Sequence, residues 1–139
     1  MIGIILTGHG HFADGLFSAA QLVAGPQEQL RVVNFPEGDS TEDLQQKLRT
    51  AAEELGDREL VFLTDIAGGS PFNQSVLLSQ ALPQNCQVFS GTNMPFLLQV
   101  LFDREDELAV LEPRWLGGEI RVAAFRAKKK AQQVRGGGI

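Results

Sequence analysis

Residues 2–10, with the sequence IGIILTGHG, combine an apolar run with a histidine that stands between two glycines. The run at residues 2–6 predicts a short buried strand. The glycines beside His9 carry no side chain, so a large polar group can approach the imidazole closely. This stretch therefore predicts the first strand of a sheet. Taken together with the loop at residues 65–71, it also predicts that His9 is a nucleophile for phosphate.

Similar apolar runs alternate with helical patterns along the rest of the chain. Ser40 and Asp43 form a capping-box pattern at one helix start, and Gly56 ends that helix. Strands are predicted at residues 31–35, 59–64, 86–90 and 120–125, and helices at 12–24, 41–55, 71–82, 95–102 and, more weakly, 105–111. This alternation predicts one α/β domain, with a mainly parallel sheet in the order 2-1-3-4 and helices on both faces.

The composition of the chain narrows its class and its partners. It has 139 residues, 43% of them hydrophobic and 21% charged, as is typical of one soluble globular domain. The formal net charge of −5 argues against nucleic-acid binding and suits a basic protein partner. The single cysteine, Cys86, is expected to be buried and free, which favours a reducing compartment. With no secretory signal or membrane-spanning stretch, a cytoplasmic location is expected.

Two loops are expected to meet at one edge of this sheet. Ligands of open α/β sheets bind at the carboxyl ends of the strands, where the strand order reverses. With the order 2-1-3-4, that point lies between the first strand, which His9 follows, and the third strand, which Asp65 ends. A carboxylate that accepts a hydrogen bond from the N–H of one ring nitrogen leaves the lone pair of the other nitrogen free to attack phosphorus.

The segment DIAGGSPFN, at residues 65–73, is typical of an anion site. Gly68 and Gly69 allow the backbone to approach a ligand, Ser70 is expected to cap the following helix, and Pro71 suits its first position. The amides of the first turn and the Ser70 hydroxyl would then bind phosphate. The other interpretation of this segment is an ordinary capped helix start after a tight loop.

Three further features remain to be weighed. His11 and Asp14 stand close to His9 in sequence, but no third or fourth ligand at a familiar spacing completes a metal site, so no metal is predicted. His11 is expected to be a solvated residue of the first helical turn.

The segment GTNMP, at residues 91–95, either rims the crevice or only turns the chain into the next helix. The basic, glycine-ended residues 128–139 are expected to form a tail or linker beyond a domain of residues 1–127.

The motifs GHG (8–10), DIAGGSPFN (65–73) and GTNMP (91–95), in this order, resemble the enzyme IIA component of the mannose/sorbose (type 4) family of the bacterial phosphoenolpyruvate:sugar phosphotransferase system. The branch that serves mannose and N-acetylgalactosamine is the most similar. The resemblance covers residues 1 to about 112. It implies phosphorylation of His9 at Nε2, with Asp65 as its hydrogen-bonding partner and with Ser70 and nearby amides holding the phosphoryl group.

The same resemblance implies the partners. Phospho-HPr would be the donor, a histidine of the IIB component the acceptor, and the membrane components IIC and IID would take part indirectly. No cofactor, metal or nucleic acid would be needed. The final strand, near residues 120–125, would be an antiparallel edge strand that is exchanged in a homodimer, although residues 115–118 have no clear counterpart in the family.

Three other functions remain as alternatives. The chain could serve a dihydroxyacetone kinase as phosphodonor, but such proteins depart from the full GGSPFN motif present here. It could report its phosphorylation state to a partner without passing the group on. A receiver domain or nucleotide binder would need a carboxylate where His9 stands, or a G-x-G-x-x-G turn after the first strand. Neither the transported sugar nor a fused or separate IIB domain can be read from this sequence.

Overall fold

The computed structural model of the protein describes residues 1–118, 120 and 122–125. The elements alternate as predicted, and most bounds differ from the predicted ones by one residue at most. In chain order they are β1 (Gly3–His9), α1 (Phe12–Ala24), β2 (Leu30–Phe35), α2 (Thr41–Leu55), β3 (Leu60–Thr64), α3 (Ser70–Ala81), β4 (Cys86–Ser90), α4 (Met94–Phe102), α5 (Leu108–Leu116) and β5 (Ala123–Phe125).

The strands form one five-stranded sheet in the order β2-β1-β3-β4-β5. The first four strands are parallel, and β5 runs antiparallel to β4, with Ser90 opposite Ala123. The predicted fold class and strand order are thereby confirmed, as is the antiparallel edge strand. Of the segment predicted for that strand, residue 121 lies outside the described residues, as does the tail at residues 128–139.

The core lies on both faces of the sheet, which explains the unbroken apolar runs. Successive strand residues point to opposite faces, so Ile4 and Leu6 pack on one side of β1 and Ile5 on the other, all fully buried. Helices α1, α4 and α5 cover the first face, and α2 and α3 cover the second. The Cys86 side chain is buried, as expected. None of the described helices is long and apolar enough to cross a membrane.

Helix α2 begins with the predicted capping box. The Ser40 hydroxyl accepts a hydrogen bond from the Asp43 N–H at 3.1 Å, and the Asp43 carboxylate accepts one from the Ser40 N–H at 2.9 Å. Two donors of the first turn are thus satisfied by side chains only three residues apart. Gly56, at φ 76°, ends the helix in a conformation that glycine adopts readily.

The bounds predicted for the last helix, residues 105–111, are wrong. Helix α5 starts after Glu107 and continues through Pro113 to Leu116. The Trp115 side chain is fully buried, and its ring lies 6.0 Å from that of Phe89 and 6.1 Å from that of Phe96. Burial of so large a side chain outweighs the backbone hydrogen bond that Pro113 removes, and that tertiary gain is not visible in the local pattern.

Candidate functional site

His9 and Asp65 touch at the carboxyl ends of the neighbouring parallel strands β1 and β3. The Asp65 Oδ2 lies 2.8 Å from His9 Nδ1 and accepts a second hydrogen bond from the His9 backbone N–H, also at 2.8 Å. The His9 side chain is 46% exposed, whereas that of Asp65 is 13% exposed. The contact predicted between two residues 56 positions apart is therefore present, with the imidazole open to solvent.

The Asp65 carboxylate is held in its ionised form. Burial alone would raise the pKa of Asp65, but hydrogen bonds from the His9 backbone, the His9 ring and the Ile66 backbone, together with the charge of His9, hold that pKa below its ordinary value. An ionised carboxylate can only accept hydrogen bonds, so the ring proton of His9 must reside on Nδ1. In the neutral ring, the lone pair of Nε2 is consequently free.

Two glycines make the space that this arrangement needs. A Cβ added at Gly69 would lie 2.5 Å from His9 Cε1 and 3.1 Å from His9 Nε2. A Cβ at Gly8 would lie 2.5 Å from Cδ2 of Phe12 and 3.1 Å from the Asp65 carboxyl carbon. Gly69 therefore lies against the Cε1–Nε2 edge of the imidazole, and Gly8 allows the carboxylate to reach the ring.

The start of α3 differs from the prediction. Gly69 caps this helix in an extended conformation, and its carbonyl already accepts the N–H of Asn73 at 2.8 Å. Ser70 is the first helical residue and Pro71 the second, and within the described part no side-chain capping bond is present. The capping role predicted for Ser70 is therefore wrong. Gly68, at φ 85°, needs the left-handed conformation, and its carbonyl accepts a hydrogen bond from Asn73 Nδ2 at 3.1 Å.

Phe35, the last residue of β2, contacts both the His9 ring and the main chain that follows it. The Phe35 ring meets the His9 ring edge-on, with centroids 6.1 Å apart. Phe35 and Gly10 also exchange two backbone hydrogen bonds, of 2.7 and 3.2 Å. These contacts fix the main chain directly after His9. Sequence reasoning missed Phe35, whose only signal was its position as the last apolar residue of a strand predicted beside the first.

Asn34 ties β2 to the start of α1. Its Oδ1 accepts the N–H of Asp14 at 3.2 Å, and its Nδ2 lies 3.4 Å from Nδ1 of His11. His11 immediately precedes α1, one position before the predicted first turn, and is exposed as expected. Within residues 1–118, 120 and 122–125, no group of three or more histidine, cysteine or acidic side chains could hold a metal ion.

The segment at residues 91–95 links β4 to α4, as one of its two predicted alternatives has it. It turns the chain into α4, where Asn93 Oδ1 accepts the N–H of Phe96 at 2.8 Å. The Gly91 N–H also donates to the Asp65 carbonyl at 2.7 Å, and Gly91 lines a cleft of about 380 Å³ on the β4 side of Asp65, whose described lining does not include His9. Asp65 and Ile66 line the same cleft, and the Ile66 side chain is 59% exposed.

The fold and site together define a class: a doubly wound α/β protein with an exposed, carboxylate-paired histidine at the reversal of strand order. The sequence profile of the family described as "PTS system fructose IIA component" matches residues 3–112. The chain therefore belongs to the mannose-type EIIA family of the sugar phosphotransferase system, which confirms the resemblance seen in its motifs.

Individual relatives agree with this assignment. The chain is 35% identical to the fructose-specific EIIA component of Bacillus subtilis, over 76% of this chain and 72% of the relative. It is 30% identical to the mannose-specific EIIAB component of Escherichia coli, over 76% of this chain, and spans only 33% of that relative's length.

Solved structures show the same fold. The EIIA component from Streptococcus agalactiae superposes with a TM-score of 0.78 and 33% identity, over 84% of this chain and 91% of the other. The mannose/sorbose-specific IIA subunit from Enterococcus faecalis superposes with a TM-score of 0.76 at 22% identity, over 84% of this chain and 87% of the other. At that identity the second likeness concerns the fold alone.

Proposed function

We propose that this protein is a phosphocarrier of a sugar phosphotransferase system, which accepts a phosphoryl group on His9 from phospho-HPr and passes it to a histidine of a IIB component. The observation that carries the proposal is the exposed His9 ring, whose Nδ1 proton is held by the Asp65 carboxylate at 2.8 Å. That arrangement leaves Nε2 both nucleophilic and accessible.

The transfer needs little beyond positioning. The Nε2 lone pair of His9 forms a bond to phosphorus while the P–N bond of the donor histidine breaks, and the electron pair of that bond returns to the donor ring. The ionised Asp65 stabilises the positive charge that develops on the His9 ring. Transfer to the acceptor is the reverse of this step with a different partner ring, so one geometry serves both steps.

We assign Gly68, Gly69 and Ser70 to the phosphoryl site. Gly69 presents backbone rather than a side chain beside Nε2 of His9. Helix α3 begins directly after it. A helix N-terminus stabilises a nearby anion by ~0.3–1 kcal/mol, and by up to ~2 kcal/mol when the anion is partly buried.

The test is labelling with radioactive phosphoenolpyruvate, enzyme I and HPr. We expect label on the wild-type protein and on His11→Ala, but none on His9→Ala. His11→Ala is the matched control, since it removes an exposed histidine only two positions away. Acid-labile phosphate on His9→Ala would contradict the site. Label that stays on the protein after a IIB component is added would favour a regulatory module over a carrier.

Further proposals follow from the family resemblance. We propose a cytoplasmic homodimer in which the edge strand that contains β5 is exchanged between subunits, with IIC and IID as indirect partners. We also propose that the phosphocarrier domain comprises residues 1–127 and that residues 128–139 form a tail or linker. Light scattering on the full chain, and on a chain that ends at residue 122, tests the dimer. A dimer that survives this truncation contradicts strand exchange.

A further inference from the structure

The chain has two exposed histidines only two positions apart, and both lie at the carboxyl end of β1. The proposed function needs a phosphoryl group on His9 alone. The partners of the two rings differ in kind. His9 faces a carboxylate, whereas His11 faces a carboxamide. A carboxylate can only accept a hydrogen bond, but a carboxamide has a donor end and an acceptor end.

The orientation of the Asn34 carboxamide is fixed by its second contact. The backbone N–H of Asp14 lies 3.2 Å from Oδ1 and can only donate, so the acceptor end of Asn34 must face α1. The donor end, Nδ2, then faces Nδ1 of His11 at 3.4 Å. The reversed carboxamide would set two donors against each other at Asp14 and is excluded on that ground.

It follows that the two rings are held in opposite tautomers. His9 carries its proton on Nδ1 and has a free Nε2 lone pair. His11 accepts a hydrogen bond at Nδ1 and, when neutral, carries its proton on Nε2. We infer that Asn34 is a specificity-determining positioning residue, which withholds His11 from phosphoryl donors by occupying its only lone pair.

Because this selectivity presupposes phosphoryl transfer to His9, it rests on the proposed function, but its tests need no protein of the phosphotransferase system. The first test is long-range ¹H–¹⁵N NMR of both rings, at a pH where the same spectra show them to be neutral. We expect a protonated Nδ1 in His9 and a protonated Nε2 in His11. A His11 ring protonated on Nδ1 would overturn the inference.

The sharpest variant is Asn34→Asp. A carboxylate at this position still accepts the Asp14 N–H and keeps the start of α1 in place. It accepts a hydrogen bond from His11 instead of donating one, so the ring proton of His11 moves to Nδ1. Asp65 has the same effect on His9. A hydrogen bond to a charged group shifts the ratio of the two ring tautomers by about tenfold or more. Gln21→Glu, which adds the same charge on the exposed face of α1, is the matched control and should leave both tautomers unchanged.

The second test measures reactivity with phosphoramidate, a small-molecule phosphoryl donor. A ring nitrogen forms the new N–P bond, the P–N bond of the donor breaks, its electron pair leaves with ammonia, and the ring releases its remaining proton to solvent. In a His9→Ala background, we expect Asn34→Asp to increase phosphorylation of His11 by about tenfold, in line with the tautomer ratio. The triple variant with His11→Ala should show none of this increase.

Two outcomes of the labelling would overturn the inference. One is equally fast phosphorylation of His11 with Asn34 or Asp at this position. The other is an unreactive His11 in Asn34→Asp although NMR shows its proton on Nδ1. Failure of phospho-HPr to label His9 would instead contradict the proposed function, and it would leave the tautomers measured by NMR unchanged.

Discussion

Gly69→Ala should slow phosphoryl transfer by roughly 10²-fold without unfolding the protein. The new Cβ would lie 2.5 Å from His9 Cε1, against an ordinary contact distance of at least 3.4 Å, and 3.1 Å from Nε2. The Gly69 backbone, at φ −81°, suits alanine, so the backbone is not strained. The ring must instead move by about 0.9 Å, and a displacement near 1 Å at a reacting group costs roughly 10²-fold in rate.

Gly56→Ala, at the end of α2 and outside the phosphoryl site, is the matched control for this substitution. Gly56 is at φ 76°, and a Cβ there would meet nothing within 4 Å among the described residues. This variant should lose ~1–2 kcal/mol of stability through backbone strain, with a much smaller loss of transfer rate. Quench-flow transfer from phospho-HPr and urea denaturation measure the two properties separately. A wild-type transfer rate in Gly69→Ala, or a rate loss that only parallels its loss of stability, would refute the assignment of Gly69 to the reactive edge.

Three other substitutions test the site and its support. Asp65→Asn should keep the fold but slow transfer by at least about tenfold, because the charge that stabilises the His9 ring is lost. The pKa of Asp65 is lower in the folded protein than in the unfolded chain. The contribution of Asp65 to the free energy of unfolding is therefore complete above the unfolded pKa of about 3.9 and is lost as the pH falls through the folded pKa. The urea midpoint of Asp65→Asn should lack this loss at low pH. Ser70→Ala should change the free energy of unfolding by no more than about 0.5 kcal/mol, because Gly69 rather than Ser70 caps α3. A loss above about 1 kcal/mol in urea denaturation would contradict the assignment of Gly69 as the cap. Trp115→Ala should cost roughly 3–5 kcal/mol in the same assay, and a cost below 1 kcal/mol would show that α5 does not depend on this burial.

The architecture and the central contact followed from the sequence because they depend on local rules. Apolar runs of four to six residues, each separated by a helical pattern, specify parallel strands covered on both faces. The capping box at Ser40 and Asp43 lies within one helical turn and was visible as a pattern of two residues. Topology then placed His9 and Asp65 together, because consecutive carboxyl-terminal ends of parallel strands share one edge.

The remaining features of the site depended on strand register and side-chain packing, which no short stretch encodes. Thr7 pairs with Thr64 across β1 and β3, so Asp65 follows this pair beside Gly8 and within reach of His9, the next residue of β1. The contacts of Phe35 and Gly69 with the His9 ring depend on where β2 ends and on how closely the α3 loop approaches.

The sequence by itself determined the class of fold, the order of its elements and the contact between His9 and Asp65, since each rests on residues close together in the chain or on a general rule of topology. Tertiary structure alone decided where α5 ends, which residue caps α3 and which nitrogen of His11 is engaged. The physical reason is that burial of Trp115, the extended Gly69 and the orientation of Asn34 are each set by partners from other elements of the fold.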